Sequence, residues 1–489
     1  MCGGVTMAVS TAHELAESLS QQMLVELTGR PDAVVHDLTH DSRQVRPGWA
    51  FACVPGGQFD GHQFAAAAVE QGAGVLIVEQ RQPLDVAQLV VTDVRRAMGP
   101  IAAAVHGHPA TKMRMLGITG TNGKTTTTHL LAAILRGAGF DERQLGTLSG
   151  ARTTPEAPDL QRTLAGFVDD GVDAVVMEVS SHALALHRVA GTRFDVAAFT
   201  NLGRDHLDLH ESMETYFRAK ASLFSPELTE MGVTNLDDPY GRLLLDATAV
   251  EMLGFSLSQA IDVEVGVNHH AFTWRGHRIT VPIGGRFNVM NTLAALTASQ
   301  ALGIDTELAA SGLAECPPVP GRFEVVSDPA VHAFAVVVDY AHTPDGLEEL
   351  LTAARNLAGR SRVIVVFGCG GDRDVDKRPL MGAAASTHAD VVIITSDNPR
   401  HEDPESIVRA AADGIDPRHH RSVVIEVDRR VAINSAIETA RPGDVVVIAG
   451  KGHETTQTIG DQALPFDDRA VARTALDAEV RAGTMGDLT

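Results

Sequence analysis

The run Thr119-Gly120-Thr121-Asn122-Gly123-Lys124-Thr125-Thr126 carries the most explicit chemical spacing in the chain. Glycines let successive backbone N–H groups curl around one anion, and a helix start beyond them adds its positive end. Lys124 can then reach terminal phosphates, and the Thr125 hydroxyl can ligate Mg²⁺. The flanks fit, because Met113 to Ile118 reads as a strand and Leu130 to Leu135 as an apolar helical stretch. The strict GxxxxGK[ST] pattern requires glycine at 118, where Ile118 stands between Gly117 and Gly120, so the loop is a variant. Kinases, GTPases, motors and ligases all use such loops, so this one marks a nucleotide-phosphate site without choosing a reaction.

Other residues narrow the chemistry. Glu211 to Phe224 has the apolar spacing of one helical face (Met213, Tyr216, Phe217, Leu223, Phe224), and Lys220 falls on that face. An ammonium there must snorkel out, pair, lose its charge or be modified. Glu178 ends an apolar strand and the run Arg204-Asp205-His206-Leu207-Asp208 follows another, so each offers a candidate Mg²⁺ ligand where strand ends converge near the phosphate loop. The run Asp372 to Asp376 imitates an EF-hand start, but Lys377 and Ala383 replace its glycine and bidentate glutamate. Gly368-Cys-Gly-Gly-Asp-Arg373 has Arg373 where a dinucleotide fingerprint needs its third glycine, which excludes NAD. His269-His270 and His419-His420 read as surface pairs, and Asp467-Asp468-Arg469 as a solvated helix start. Cys2, Cys53, Cys316 and Cys369 have no ligand spacing and read as packing residues.

Positioning these groups takes three α/β domains. A smaller amino-terminal α/β domain is expected over 1–110. A central domain over 111–318 carries a mainly parallel P-loop ATPase-type sheet and a small β-meander that turns at Gly276. The third, over 319–489, has strands at Ala335 to Val338, Val363 to Phe367, Val391 to Thr395, Val423 to Val427 and Val445 to Ala449, a doubly wound Rossmann-like sheet. Ligands of such a sheet sit at strand carboxyl ends, where Asp339, Gly368, Ser396 and Gly450 follow. Cys316 to Gly321 reads as a linker.

Composition removes whole classes. The 489 residues include 40 basic and 62 acidic side chains, a formal charge of −22, which argues against nucleic-acid binding. No apolar run approaches the roughly 18 residues of a membrane span, and no basic residue precedes Arg30. A cytoplasmic protein without membrane insertion is expected. Gathering anionic ligands on so acidic a chain calls for a locally basic cleft where the three segments meet.

Taken together, Thr119 to Thr126, Met177-Glu-Val-Ser-Ser-His182, Thr200-Asn-Leu-Gly-Arg-Asp-His206, Tyr216-Phe-Arg-Ala-Lys220, Gly285-Arg-Phe-Asn288, Gly321-Arg322 and Asp339-Tyr-Ala-His-Thr-Pro344 resemble the Mur ligases of peptidoglycan synthesis, in the family's order. Gly368 to Asp374, Lys377 to Gly382, Asp397-Asn-Pro-Arg400 and Gly450-Lys-Gly-His-Glu454 are similar to its diaminopimelate-adding branch. The resemblance implies ATP and Mg²⁺ as cofactors, with UDP-N-acetylmuramoyl-L-alanyl-D-glutamate and meso-diaminopimelate as substrates. By the same likeness, Gly120, Thr121, Asn122, Gly123, Lys124, Thr125, Thr126, Asn288, Arg322 and Asp339 would hold ATP. Thr125, Glu178, His206 and a carbamylated Lys220 would hold the metal. Ser42, Gly57, Gln58, Phe59, Thr153, Thr154, Ser180 and Arg188 would hold the UDP-precursor, and Arg373, Asp397, Asn398, Pro399, Arg400, Gly450 and Glu454 the diaminopimelate. Leu186 departs from the family, where glutamine is expected, and the Gly146 to Asp159 loop is short.

The implied reaction is amide formation through an acyl phosphate, with Lys124, Glu178, His206, Lys220 and Arg322 as its catalytic groups. Relatives that add L-lysine, a folylpolyglutamate-synthetase-like ligase and a P-loop ATPase driving conformational change are the alternatives. Asp397-Asn-Pro-Arg400 argues against the first two.

Overall fold

A computed structural model of the protein describes residues 10–57, 59–150, 152–205, 207–416, 418 and 423–486, excluding the side chains of 207, 208 and 482–486. Cys2, Gln58, His206 and the His419-His420 pair lie outside the described residues.

Short β-branched runs punctuated by Gly, Pro and Asp make the strands, and the amphipathic stretches between them make the crossover helices. The result is a mixed α/β protein of three domains, each built on its own sheet. Five strands form the amino-terminal sheet, where Asp37–Thr39, Trp49–Ala52, Val75–Val78 and Ala87–Val91 run parallel and Leu24–Thr28 adds an antiparallel edge. The central sheet is six-stranded and parallel throughout, in the order 251–255, 229–235, 194–199, 114–119, 174–178, 142–145. A three-stranded antiparallel meander, Ile261–Val265, His270–Trp274 and His277–Val281, turns at Arg275-Gly276. The last six-stranded sheet runs 324–325, 335–339, 445–449, 363–369, 391–396, 423–425, with its first strand antiparallel.

Helix Lys124–Gly137 packs against Phe287–Ala301 and Thr306–Ala314, and Leu130, Leu131, Ile134, Leu293 and Leu296 are sealed in the core that anchors the phosphate loop. The Cys316 to Gly321 stretch is not a free linker, since Cys316 and Val319 are buried in that same core. Two further expectations are corrected here. His270 is fully buried, its ring nitrogens 2.6 Å from the Ile283 carbonyl and 2.8 Å from the Thr292 hydroxyl, and burial lowers it to about 4. Asp468 is no solvated helix start either. It forms a 2.7 Å ion pair with Arg429 in which neither side chain is exposed. Adjacent polar letters suggested solvent in both places, whereas the partners come from distant elements. Among the described residues no helix is long and apolar enough to cross a membrane.

Candidate active site

Strand Arg114–Thr119 lies between strands Phe194–Phe199 and Ala174–Glu178, with Glu178 in register with Ile118. The phosphate loop therefore opens beside the carboxyl ends of both neighbours. Gly123 has φ +84°, a backbone state that favours glycine, and helix Lys124–Gly137 starts there without a side-chain cap, leaving its first N–H groups to an anion.

Lys124 Nζ donates to the Gly120 carbonyl at 2.9 Å and to Thr121 at 2.8 Å. Lys220, 1% exposed, donates to the same Gly120 oxygen at 2.7 Å and lies 4.7 Å from the Tyr216 ring centroid. It does not snorkel. Burial lowers both amines. The Lys124 charge pushes Lys220 further, well below the ordinary lysine value, while Glu178 and Asp205 support the Lys124 ammonium. Two ammonium groups on one carbonyl oxygen repel, and the pull toward the neutral amine is the stronger at Lys220.

Thr125 Oγ1 donates to Glu178 Oε2 at 3.0 Å, and Glu178 Oε1 accepts from the Thr147 amide at 2.8 Å. From the third domain Arg322 reaches the Thr125 hydroxyl at 3.2 Å and lies 4.2 Å from the Tyr340 ring centroid. Asp339 is held by the amides of Phe323 at 2.6 Å and Ala341 at 2.7 Å, and burial raises its pKa despite Arg322. These groups border a cavity of about 590 Å³ between the central and third domains, walled also by Asp205, Asn291, Phe287 and His342.

The expected basic cleft is not what lines it. Glu178, Asp205, Asp237, Asp238, Asp339 and Glu349 outnumber Lys124 and Arg322 on the wall. Such a wall favours a ligand that arrives with its own cation. Asn288, expected to hold ATP, is buried and does not line this cavity. Its Nδ2 donates to the Gly284 carbonyl at 2.7 Å and its Oδ1 accepts from Asn291 Nδ2 at 2.8 Å, and it is Asn291 that lines the cavity.

Of the residues expected to hold the UDP-precursor, Thr153 and Ser180 reach the cavity wall. Thr154 is buried behind them, bonded to the Glu178 carbonyl at 2.9 Å, and Arg188 pairs with Glu156 at 2.8 Å. Ser42, Gly57 and Phe59 belong to the amino-terminal domain and do not line this cavity; Phe59 is exposed beside Phe64.

The Asp397-Asn-Pro-Arg400 corner follows strand Val391–Ser396, next to Gly370 and Gly450 at the ends of the two preceding strands in the sheet. Asp397 and Asn398 are buried, and burial raises Asp397 against the pull of Arg429 and Lys451. Arg400 donates to the Gly371 carbonyl at 2.5 Å, and a Cβ placed on Gly370 would stand 3.1 Å from Arg400 Nη1 and 3.7 Å from Arg373 Cγ. Two guanidinium arms thus share one glycine floor, with Arg373 exposed. Opposite them Asn398 Nδ2 donates to Glu454 Oε2 at 2.9 Å. The corner is continuous with the phosphate region, because Tyr340, under Arg322, lies 5.2 Å ring to ring from His453, and the Gly450 amide donates to the Asp339 carbonyl at 3.1 Å. Sequence reasoning missed Lys451, which sits inside the Gly450 to Glu454 motif and touches both Asn398 and Glu454.

Family models match in order along the chain: the Mur ligase family catalytic domain at 34–113, the Mur ligase middle domain at 118–299 and the Mur ligase glutamate ligase domain at 321–452. The chain is 44% identical over 494 residues to a UDP-N-acetylmuramoyl-L-alanyl-D-glutamate–2,6-diaminopimelate ligase of Streptomyces avermitilis, covering 95% of this chain and 97% of that one. It belongs to the Mur ligase family. A ligase of the same name from Gloeobacter violaceus is 46% identical over 470 residues, 91% of this chain and 94% of its own. A solved diaminopimelate ligase of that name superposes with a TM-score of 0.68 at 33% identity, covering 96% of this Mur ligase and 99% of the other.

Proposed function

We propose that this protein is an ATP-dependent ligase that joins the D-glutamyl carboxylate of UDP-N-acetylmuramoyl-L-alanyl-D-glutamate to an amine of meso-diaminopimelate, a cytoplasmic step of peptidoglycan precursor synthesis. One observation carries the reading: Arg322 bridges the phosphate loop and the wall that leads through Tyr340 and His453 to Glu454 and the Asp397-Asn-Pro-Arg400 corner. Relatives bearing that activity in their names support it.

In this account the loop amides, the helix start and Lys124 bind the ATP phosphates, while Arg322 faces the phosphoryl group in transfer. Thr125 and Glu178 present oxygen donors 3.0 Å apart on the cavity wall, a set that fits Mg²⁺ and its preference for oxygen. The ion would supply neutralisation of phosphoryl charge there. Lys220 brings no oxygen as an amine. Its depressed pKa makes it a nucleophile for CO₂, with an N–C bond formed and a proton lost, and the carbamate would add an anionic oxygen donor at the loop.

A carboxylate oxygen of the D-glutamyl residue attacks the γ-phosphorus, the bond to the β,γ-bridging oxygen breaks, and ADP leaves with the electron pair. The amine then adds to the acyl carbon, a proton is lost, and phosphate departs as the amide forms. Arg400 and Arg373 suit the distal carboxylate of the incoming amino acid, and Asp397 and Glu454 its distal ammonium. The test supplies ATP, the UDP-dipeptide and a panel of amines, with the product weighed by mass spectrometry. The expected product carries diaminopimelate, and Arg400→Ala lowers the ratio of diaminopimelate to L-lysine use by about tenfold or more. A product made equally well with any amine, or ADP release independent of the UDP-dipeptide, contradicts the reading.

A further inference from the structure

The proposed amino-acid site stands on a buried amine to which neither the motif reading nor the ligase mechanism gives a task. The side chain of Lys451 is fully buried, and its Nζ donates to Asn398 Oδ1 at 3.1 Å and to Glu454 Oε2 at 2.9 Å. Asn398 closes the triangle by donating its own amide to the same Glu454 oxygen at 2.9 Å. One carboxylate oxygen is thus held by two donors, leaving Glu454 Oε1 free of these two contacts.

The hairpin Thr456–Ile459 and Gln462–Pro465 locks this triangle from the other side. The Thr458 amide donates to Asn398 Oδ1 at 2.9 Å, and Gln457 Nε2 donates to the Asp397 carbonyl at 2.7 Å. Arg400 sits at φ +51°, a state that costs a non-glycine residue, and the hairpin holds it there at both ends: its N–H donates to the Thr458 carbonyl at 3.1 Å, and its carbonyl accepts from Gly460 at 2.7 Å.

We infer that Lys451 is a positioning residue of the amino-acid site, which together with the 456–465 hairpin fixes the directions of Glu454, Asn398 and Arg400 and so sets which amine is accepted. The inference rests on the ligase reading above. Lys451 acts through those partners, because its side chain is fully buried and its Nζ is bonded to two side chains of the site. A carboxylate aimed by two donors meets a ligand ammonium without first paying for its own orientation, and that gain falls on binding of the amine rather than on phosphoryl transfer.

Steady-state kinetics of wild type, Lys451→Met, Lys451→Arg and Gln457→Ala test this with ATP, the UDP-dipeptide and either diaminopimelate or L-lysine. Lys451→Met is expected to raise KM for diaminopimelate by about tenfold, the size of a lost charge-assisted hydrogen bond, and to narrow the preference over lysine by a similar factor. KM for ATP should stay within about twofold, since binding of the triphosphate is left as it was. Lys451→Arg should recover part of the loss, and Gln457→Ala should move the same two quantities in the same direction by less. If Lys451→Met does not fold, the latter two variants carry the test alone. Unchanged diaminopimelate KM and unchanged preference in the folded variants overturn the inference, as does a parallel loss in all KM values and kcat. A wild-type protein that makes no diaminopimelate product overturns the ligase reading first and takes this inference with it.

Discussion

Lys220 concentrates the chemistry at the scale of single residues. A lysine on the apolar face of a short helix could have reached for solvent, but the structure turns it inward to the Gly120 carbonyl beside Lys124. Burial and the Lys124 charge lower its pKa and so favour the neutral amine, and a neutral amine next to a phosphate loop is suited to capture CO₂. Lys220→Ala should therefore lower kcat on the order of a hundredfold, with partial rescue by added acetate, and native peptides should carry the mass of one CO₂ on Lys220. Full turnover in the variant, or an unmodified lysine in a fully active preparation, contradicts the assignment. That Lys220 was singular could be read from its place among Met213, Tyr216 and Phe217. Asn291 could not be preferred over Asn288 in the same way, because which amide faces the cavity depends on a contact to the Gly284 carbonyl that no spacing reveals.

At the scale of elements, strand ends do the positioning, and one buried ion pair holds two of them. Arg429 donates to the Ala449 carbonyl at 2.9 Å and lies 3.3 Å from the Ser396 carbonyl, while Asp468, at the start of the last helix, pairs with the guanidinium. Both carbonyls immediately precede residues of the proposed amino-acid site, Gly450 and Asp397. Asp468→Asn leaves Arg429 buried without its counter-charge and should cost about 3–5 kcal/mol of stability in urea unfolding. A loss well under 1 kcal/mol would mean that solvent reaches the pair. The strands themselves were legible as apolar runs bounded by turn residues, and so was the hairpin turn at Gly276. What stayed hidden was the burial of charges such as Asp468, whose partner Arg429 lies 39 residues away, and Lys451, which Asn398 reaches from 53 residues away, because one polar letter looks the same in a network as in water.

For the whole molecule the question is how three domains are kept in a working arrangement. Arg162 of the central domain donates to Asp37 of the amino-terminal sheet at 2.7 Å, and its guanidinium lies 5.3 Å from the Trp49 ring centroid. Burial alone would raise Asp37, but hydrogen bonds from His106 and Arg162 hold it at about 2, below the ordinary 3.8. A depressed carboxylate stabilises fully above its unfolded value, so this contribution, about 2 kcal/mol, is lost as pH falls from near 4 toward 2. Because Arg162 is 35% exposed, Arg162→Ala should cost a discounted 1–2 kcal/mol or so at neutral pH and flatten the acid loss between about pH 4 and 2. Equal acid sensitivity in variant and wild type would contradict that docking role. The three-domain α/β plan and the nucleotide loop were legible because each rests on local pattern, whereas the acidic cavity wall arises only when separate strand ends converge. The central claim is that ATP activates a carboxylate in that cavity, and isotope transfer tests it most directly. With ¹⁸O in the D-glutamyl carboxylate of the UDP-dipeptide, the account predicts that each phosphate released carries one carboxylate-derived oxygen. Phosphate whose new oxygen comes from water instead would make the protein an ATPase and contradict the account.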